Sequence, residues 1–290
     1  MRIHINRLLT SSLVAGALAV GSLGTASAET KQVEFGWTAW SDAEFVTKLA
    51  KRVIEENYDY EVTLTLADIG VQYQGVANGD LDGMLMAWLP STHGDYMDRV
   101  GDDVVNLGPL YEGARLGWIV PDYVDEAALS SIEDLKKEGN VNKLGGEVQG
   151  IDPGAGLMQL SEKTIEEYGL DYDLKSASGA AMTAALKRAI DRGEWIVVTG
   201  WTPHWMFGSF DLRFLEDTKG TLGEAEHIDA VVREGFEADH PEIAAFLTNM
   251  HIPLDDLQAA MSEAQDSSYE EAIDDYIANN QDRIQGWVEG

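Results

Sequence analysis

Three tryptophans occupy positions where predicted strands give way to loops. Trp88 and Trp201 each precede a proline by two residues, in Trp88-Leu89-Pro90 and Trp201-Thr202-Pro203, and Trp40 stands just before a predicted helix. A core tryptophan belongs on the packed face of an element, whereas these three stand at strand ends, where sheets of this kind form clefts. The placement therefore indicates aromatic faces that line a binding cleft.

Tryptophan faces suit two classes of ligand. Sugars stack on one or two rings and need many hydrogen-bonding side chains around them. A quaternary ammonium group has no N–H to donate, and it is held instead by the electron-rich faces of aromatic rings, at about 2 kcal/mol or more per desolvated contact. Three rings converging on one point fit the second class better.

A glycine-rich loop supplies a candidate site for an anionic group. The loop Asp152-Pro153-Gly154-Ala155-Gly156-Leu157 precedes a predicted helix. Backbone N–H groups at a helix N-terminus attract anions, so the start of this helix is a candidate anion site. His93, five residues after Trp88, is a further candidate donor. The loop lacks the Lys-Ser/Thr ending of a phosphate-binding P-loop.

The composition argues against several other functions. The formal net charge is −31 and there is no cysteine, which disfavours nucleic-acid binding and excludes a disulfide framework. The acidic residues are scattered over predicted helix faces, as expected of a solvated surface. The sequence shows neither metal-ligand spacing nor a nucleophile motif. We therefore predict no catalytic residue, no metal and no cofactor.

The elements that position these residues come in two copies of one pattern. Each copy runs strand, loop, helix, strand, helix and strand, and ends in Trp-x-Pro. Gly36 and Trp88 are 52 positions apart, and Gly150 and Trp201 are 51 apart. Two βαβαβ units predict two α/β lobes with parallel sheets. One doubly wound domain is the alternative.

The expected boundaries follow from this repeat. We assign residues 29–118 and 217–290 to lobe 1 and residues 119–216 to lobe 2, with crossovers near Trp118–Pro121 and Phe210–Phe214. From about His227 on, the chain is expected to be helical and to pack on lobe 1. The cage residues Trp40 and Trp88 then come from one lobe and Trp201 from the other.

The N-terminus has the pattern of a secretory signal peptide over residues 1–28. Arg2 and Arg7 precede an apolar run, and Ala26-Ser27-Ala28 is a cleavage site of the usual type. Cleavage after Ala28 predicts a periplasmic protein. An uncleaved N-terminal anchor is the alternative.

At these residues the chain resembles the substrate-binding proteins of glycine betaine/proline betaine ABC transporters. The resemblance runs from about residue 33 to residue 288, and the most specific stretches are 151–156, 199–205 and 87–93. It implies the two-lobed α/β periplasmic binding protein fold (type II), with ligand in the interlobe cleft. It also implies an aromatic cage formed by Trp40, Trp88 and Trp201. The ligand's carboxylate would contact the backbone amides of Gly156 and Leu157 and the side chain of His93.

Several readings stay open. The resemblance implies a monomer that captures glycine betaine as an osmoprotectant and passes it to a cognate ABC permease in the membrane. Choline, carnitine and sulfonium osmolytes are alternative ligands, because relatives for them reuse the aromatic cage. A secreted hydrolase of a choline ester or glycan is an alternative of a different class, and it would need a nucleophile or an acid/base pair in the cleft.

Overall fold

The computed structural model describes residues 30–290, so the predicted signal peptide lies outside the described residues. Within the described range, no helix has the length and apolar character needed to cross a membrane. The elements form one sheet that runs through two α/β halves, flanked by helices.

The first half is built as the repeat predicts. Its elements up to the crossover are β1 (Lys31–Trp37), α1 (Ser41–Asn57), β2 (Tyr60–Leu66), α2 (Ile69–Asn78), β3 (Gly83–Leu89), α3 (Gly94–Val100) and β4 (Val104–Pro121). Strand β1 lies between β2 and β3 and is parallel to both. Every residue of β3 is buried, which explains why this central strand is a continuous apolar run.

The second half repeats this arrangement. Its elements are α4 (Glu138–Leu144), β5 (Glu147–Gln149), α5 (Gly156–Tyr168), β6 (Asp173–Lys175), α6 (Gly179–Arg192), β7 (Val198–Thr202), α7 (Met206–Ser209) and β8 (Leu212–Phe214). Strand β5 lies between β6 and β7 and is parallel to both. Both Trp-x-Pro motifs therefore end corresponding strands, β3 and β7.

The rest of the chain returns to the first half. It comprises β9 (Glu226–Arg233), α8 (Phe236–Asp239), α9 (Pro241–Asn249), α10 (Leu254–Asp266), α11 (Tyr269–Asn279) and α12 (Gln281–Glu289). Aromatic contacts join the C-terminal helices to α1, as predicted. The Phe45 ring lies 5.9 Å from Tyr276 and 6.4 Å from Tyr269.

Two expectations about the sheet were wrong. The chain from His227 does not begin with a helix, because residues 226–233 form β9 between β3 and β4. The sheet is also mixed, because β9 is antiparallel to both neighbours and β4 is antiparallel to β7. Strand β9 carries β-branched residues that fit its buried central position.

Strand β4 belongs to both halves. It pairs with β9 as far as Ala114, opposite Glu226, and with β7 from Arg115, opposite Thr202. Strand β8 still pairs with β4 in the second half, so the chain crosses back only in the segment that leads into β9. We propose that the lobes divide at Ala114/Arg115 and just before Glu226, four and nine residues from the boundaries predicted at 118 and 217.

Candidate functional site

The structure brings all six predicted site residues to one cavity between the two halves. Its lining consists of Trp40, Trp88, Thr92, His93, Leu116, Ile151, Ala155, Gly156, Leu157 and Trp201. Most of these side chains are apolar, so an ammonium group in the cavity would meet ring faces rather than water.

The three tryptophans reach the cavity from different elements. Trp40 is the residue before α1, Trp88 lies near the end of β3, and Trp201 lies near the end of β7. The Trp40 and Trp201 ring centroids are 6.5 Å apart and their planes meet at 62°. All three rings are at least nine-tenths buried. The arrangement therefore presents ring faces from both halves to one small volume.

Two aspartates accept hydrogen bonds from the indole N–H groups of Trp40 and Trp201. Trp201 Nε1–H donates to Asp42 Oδ1 at 2.8 Å, and Trp40 Nε1–H donates to Asp152 Oδ2 at 3.1 Å. Asp42 is fully buried in the first turn of α1, and its other oxygen accepts from Tyr111 Oη at 2.6 Å. Burial raises the pKa of Asp42, and the hydrogen bonds from Tyr111 and Trp201 oppose that shift.

His93 is buried and held in one tautomer. Its Nδ1 accepts a hydrogen bond from the Trp88 backbone N–H at 3.1 Å. Burial lowers the pKa of His93 to about 3, so the ring is neutral near pH 7 and carries its proton on Nε2. His93 is therefore a neutral N–H donor beside the cavity, able to bind a carboxylate without bringing a second positive charge near the cage.

The N-terminus of α5 forms another part of the cavity wall. The helix begins at Gly156, so the first N–H groups, including those of Gly156 and Leu157, have no acceptor within the helix. A side chain at position 156 would not fit. A Cβ atom there would lie 2.3 Å from the Thr92 carbonyl oxygen and 2.5 Å from Thr92 Cγ2. Glycine therefore allows α5 to approach the opposite half closely.

A second buried histidine packs against the cage. His204 lies edge-on to Trp201, with ring centroids 4.6 Å apart. Its Nδ1 accepts from the Met206 backbone N–H, and burial lowers the pKa of His204 to about 3. Gln258 of α10 exchanges two hydrogen bonds with the His204 backbone. This neutral ring supports Trp201 without repelling a cationic ligand.

Comparison with known proteins identifies the family. The family model described as "Substrate binding domain of ABC-type glycine betaine transport system" (OpuAC) matches residues 31–279. The chain belongs to this family. Members are extracytoplasmic substrate-binding proteins of transporters, and they are not enzymes.

Solved structures agree with the OpuAC assignment. Lactococcal OpuAC, solved in its closed-liganded conformation with glycine betaine, is 37% identical, with a TM-score of 0.82 over 89% of this chain and 99% of that one. A glycine betaine, L-proline transporter binding protein (ProX) from Borrelia burgdorferi is 30% identical, with a TM-score of 0.83 over 89% and 97%. The two-lobed periplasmic binding protein fold predicted from the sequence is thereby confirmed.

A curated relative matches over part of its length. The glycine betaine/carnitine transport binding protein GbuC of Listeria monocytogenes is 43% identical over 147 residues. The match spans 49% of this chain and 49% of the relative, so the chain aligns with about half of that protein.

Sequence reasoning missed the residues that support the site of this OpuAC-family protein. These include Asp42 and Asp152, whose partners lie 159 and 112 positions away. They also include Glu226, whose carboxylate accepts from the Ser91 and Thr92 N–H groups and so fixes the loop before His93. Asp42 stands two residues after Trp40, but in a sequence it reads as an ordinary acidic residue of a first helical turn.

Proposed function

We propose that this protein binds glycine betaine, and similar quaternary ammonium osmolytes that carry a carboxylate, for import by an ABC transporter. The observation that supports the proposal is that two unlike sets of groups line one cavity. Tryptophan rings from both halves, a helix N-terminus and a neutral histidine all contribute to its wall.

The tryptophan rings account for the trimethylammonium group. Trp40, Trp88 and Trp201 are almost completely buried, and a desolvated cation–π contact contributes about 2 kcal/mol or more. A methylated ammonium also has no N–H group that would need an acceptor. The tryptophan lining therefore leaves no hydrogen-bond donor of the ammonium group unsatisfied.

The helix N-terminus and the histidine account for the carboxylate. The N–H groups of Gly156 and Leu157 and the Nε2–H of His93 would each donate to it. Hydrogen bonds in which one partner is charged contribute more than neutral ones, about 1.5–3 kcal/mol each. Choline carries a hydroxyl group in place of the carboxylate and would gain less here, which favours a betaine over choline.

The comparisons support this choice of ligand class. The solved lactococcal relative binds glycine betaine, and the name of the Listeria relative adds carnitine, which also carries a trimethylammonium group and a carboxylate. We infer that the protein acts in the periplasm as a monomer, released by cleavage after Ala28, and delivers its ligand to a cognate permease for osmoprotection.

Calorimetric titration of the purified protein with glycine betaine, carnitine, choline and proline tests the proposal. Glycine betaine should bind at least tenfold more tightly than choline, because the carboxylate gains charge-assisted hydrogen bonds. Equal or tighter binding of choline would reassign the protein to choline. Turnover of a choline ester in a parallel assay would instead support the hydrolase alternative.

A His93 variant tests the proposed carboxylate contact in the same titration. His93→Ala should narrow the difference between glycine betaine and choline, because it removes a carboxylate donor and leaves the cage intact. His251→Ala is the matched control, because this exposed histidine lies outside the cavity lining. A His93→Ala variant that keeps the full preference would remove the histidine from the proposed carboxylate site.

A further inference from the structure

The two hydrogen bonds that hold the cage indoles cross between the halves in opposite directions. Trp40 of the first half donates to Asp152 of the second, and Trp201 of the second half donates to Asp42 of the first. Each half therefore supplies one cage ring and the acceptor for the ring of the other. Both bonds form only when the halves are together.

We propose that Asp42 and Asp152 are positioning residues that form a reciprocal latch, in which each carboxylate orients the cage tryptophan of the opposite half and holds the closed state. This proposal rests on the proposed function, because the latch acts on the cage assigned to the ligand's ammonium group. The two aspartates do not line the cavity themselves.

The Asp42 acceptor is fixed before its indole arrives. The Asp42 carboxylate is held within the first half by Tyr111 Oη and by backbone N–H groups of the first turn of α1. An acceptor that is already in place loses little conformational entropy when its donor binds. The loop that carries Asp152 gains a second contact on closure, because Tyr96 Oη of the first half donates to the Gly154 carbonyl at 2.7 Å.

The geometry of the bonds suits a cage. A hydrogen bond to Nε1 engages the edge of the indole, so it restricts the rotation of the ring and leaves its faces free for a cation. A buried indole N–H also needs an acceptor. Opening the halves would release both rings at once, so assembly of the cage and closure of the cleft become one event.

The latch predicts a kinetic effect, because it stabilises the closed state and not the open state that the ligand enters. Removing an acceptor should speed release of ligand and leave encounter almost unchanged. The dissociation rate of glycine betaine from Asp152→Ala should rise about tenfold, the size expected for one lost hydrogen bond to a charged group. The association rate should stay within about twofold, since encounter rates vary little among variants of one site.

Asparagine variants separate hydrogen bonding from a loss of folding. Asp152→Asn keeps an oxygen that can accept from Trp40 and should restore most of the slow release. Asp42→Asn can likewise accept from Trp201 and donate to Tyr111, whereas Asp42→Ala leaves both hydroxyl and indole donors unpaired and should release ligand about tenfold faster or more. Asp152 is only partly buried, so its variants test the latch even where Asp42→Ala fails to fold.

Stopped-flow tryptophan fluorescence with glycine betaine measures both rates, and thermal melting confirms folding. Unchanged dissociation from Asp152→Ala, or equally fast release from its alanine and asparagine variants, would overturn the latch. A wild-type protein that binds no glycine betaine would contradict the proposed function instead. In that case small-angle scattering without ligand still tests the latch. The double variant Asp42→Ala/Asp152→Ala should have a larger radius of gyration than Asp42→Asn/Asp152→Asn, and equal radii would overturn the latch.

Discussion

Replacing Gly156 with alanine should prevent full closure while leaving the fold intact. Gly156 is the first residue of α5 and does not have a positive φ, so alanine fits the helix itself and has a better helical propensity. The added Cβ atom would nevertheless meet Thr92 of the opposite half, at 2.3 Å from its carbonyl oxygen. The conflict therefore falls on the interface between the halves.

The size of the effect follows from this overlap. Ordinary contacts between such atoms are about 3.5 Å, so the two halves must move apart by about 1 Å at this point. The obstructing atom belongs to the backbone and cannot rotate away. A gap of that size takes the α5 N–H groups out of hydrogen-bonding range of a carboxylate held by the other half. Loss of one charge-assisted bond alone costs about 1.5–3 kcal/mol, which corresponds to about a tenfold to hundredfold loss of affinity.

Gly179→Ala is the matched control. Gly179 also begins a helix of the second half, α6, and also faces the first half, but a Cβ atom there would lie 3.9 Å from the Ala39 carbonyl oxygen, an ordinary contact. Titration with glycine betaine should show weak binding for Gly156→Ala and wild-type binding for Gly179→Ala, with similar melting temperatures without ligand. Wild-type affinity in Gly156→Ala would refute the reasoning.

Three further predictions concern the cage and the histidines. Trp88→Ala should weaken glycine betaine binding well over tenfold in calorimetry, since a desolvated cation–π face contributes about 2 kcal/mol, whereas Trp195→Ala, outside the cavity, should not. The affinity for glycine betaine should stay level from pH 8 to pH 5, because the pKa of His93 is about 3; an affinity that rises as the pH falls through about 6.5 would show instead that a protonated ring binds the ligand. Acid should destabilise the fold partly through His93 and His204, because their pKa values of about 3 lie below the unfolded value of 6.5. The free energy of unfolding is therefore unaffected by these histidines above pH 6.5. It falls as the pH drops from 6.5 towards 3, by about 1.4 kcal/mol per histidine per pH unit. Denaturant unfolding at several pH values should therefore show a shallower acid loss in His93→Gln and His204→Gln than in wild type or His251→Gln.

Much of the fold could be predicted because the chain contains the same pattern twice. The Trp-x-Pro spacing located the ends of β3 and β7, and the order of elements in the repeat placed α1 and α5 after their loops. Strand β9 escaped prediction because a short run such as Glu226–Arg233 sits before an acidic helical region and has no counterpart in the repeat. Its position between β3 and β4 depends on pairing with strands more than a hundred residues away.

The candidate site could likewise be predicted only in part. The positions of Trp88, Trp201 and Gly156 follow from local rules about strand ends and helix starts, and the structure places them around one cavity. The partners of the indole N–H groups follow no local rule. Asp42 meets Trp201 only when two distant elements are packed together, and its burial is decided by that packing rather than by its neighbours in the sequence.

The β4–β9 ladder ends where the halves divide, and this constrains how the protein can move. Ala114 lies opposite Glu226 at the last pair of the ladder, so the two connections to the second half leave the first half side by side. Sliding one strand along the other would break the ladder, whereas bending both together preserves it. We therefore expect the second half to rotate about this point rather than to slide past the first half. We expect backbone amides at this point to exchange with solvent slowly in both the open and the closed state.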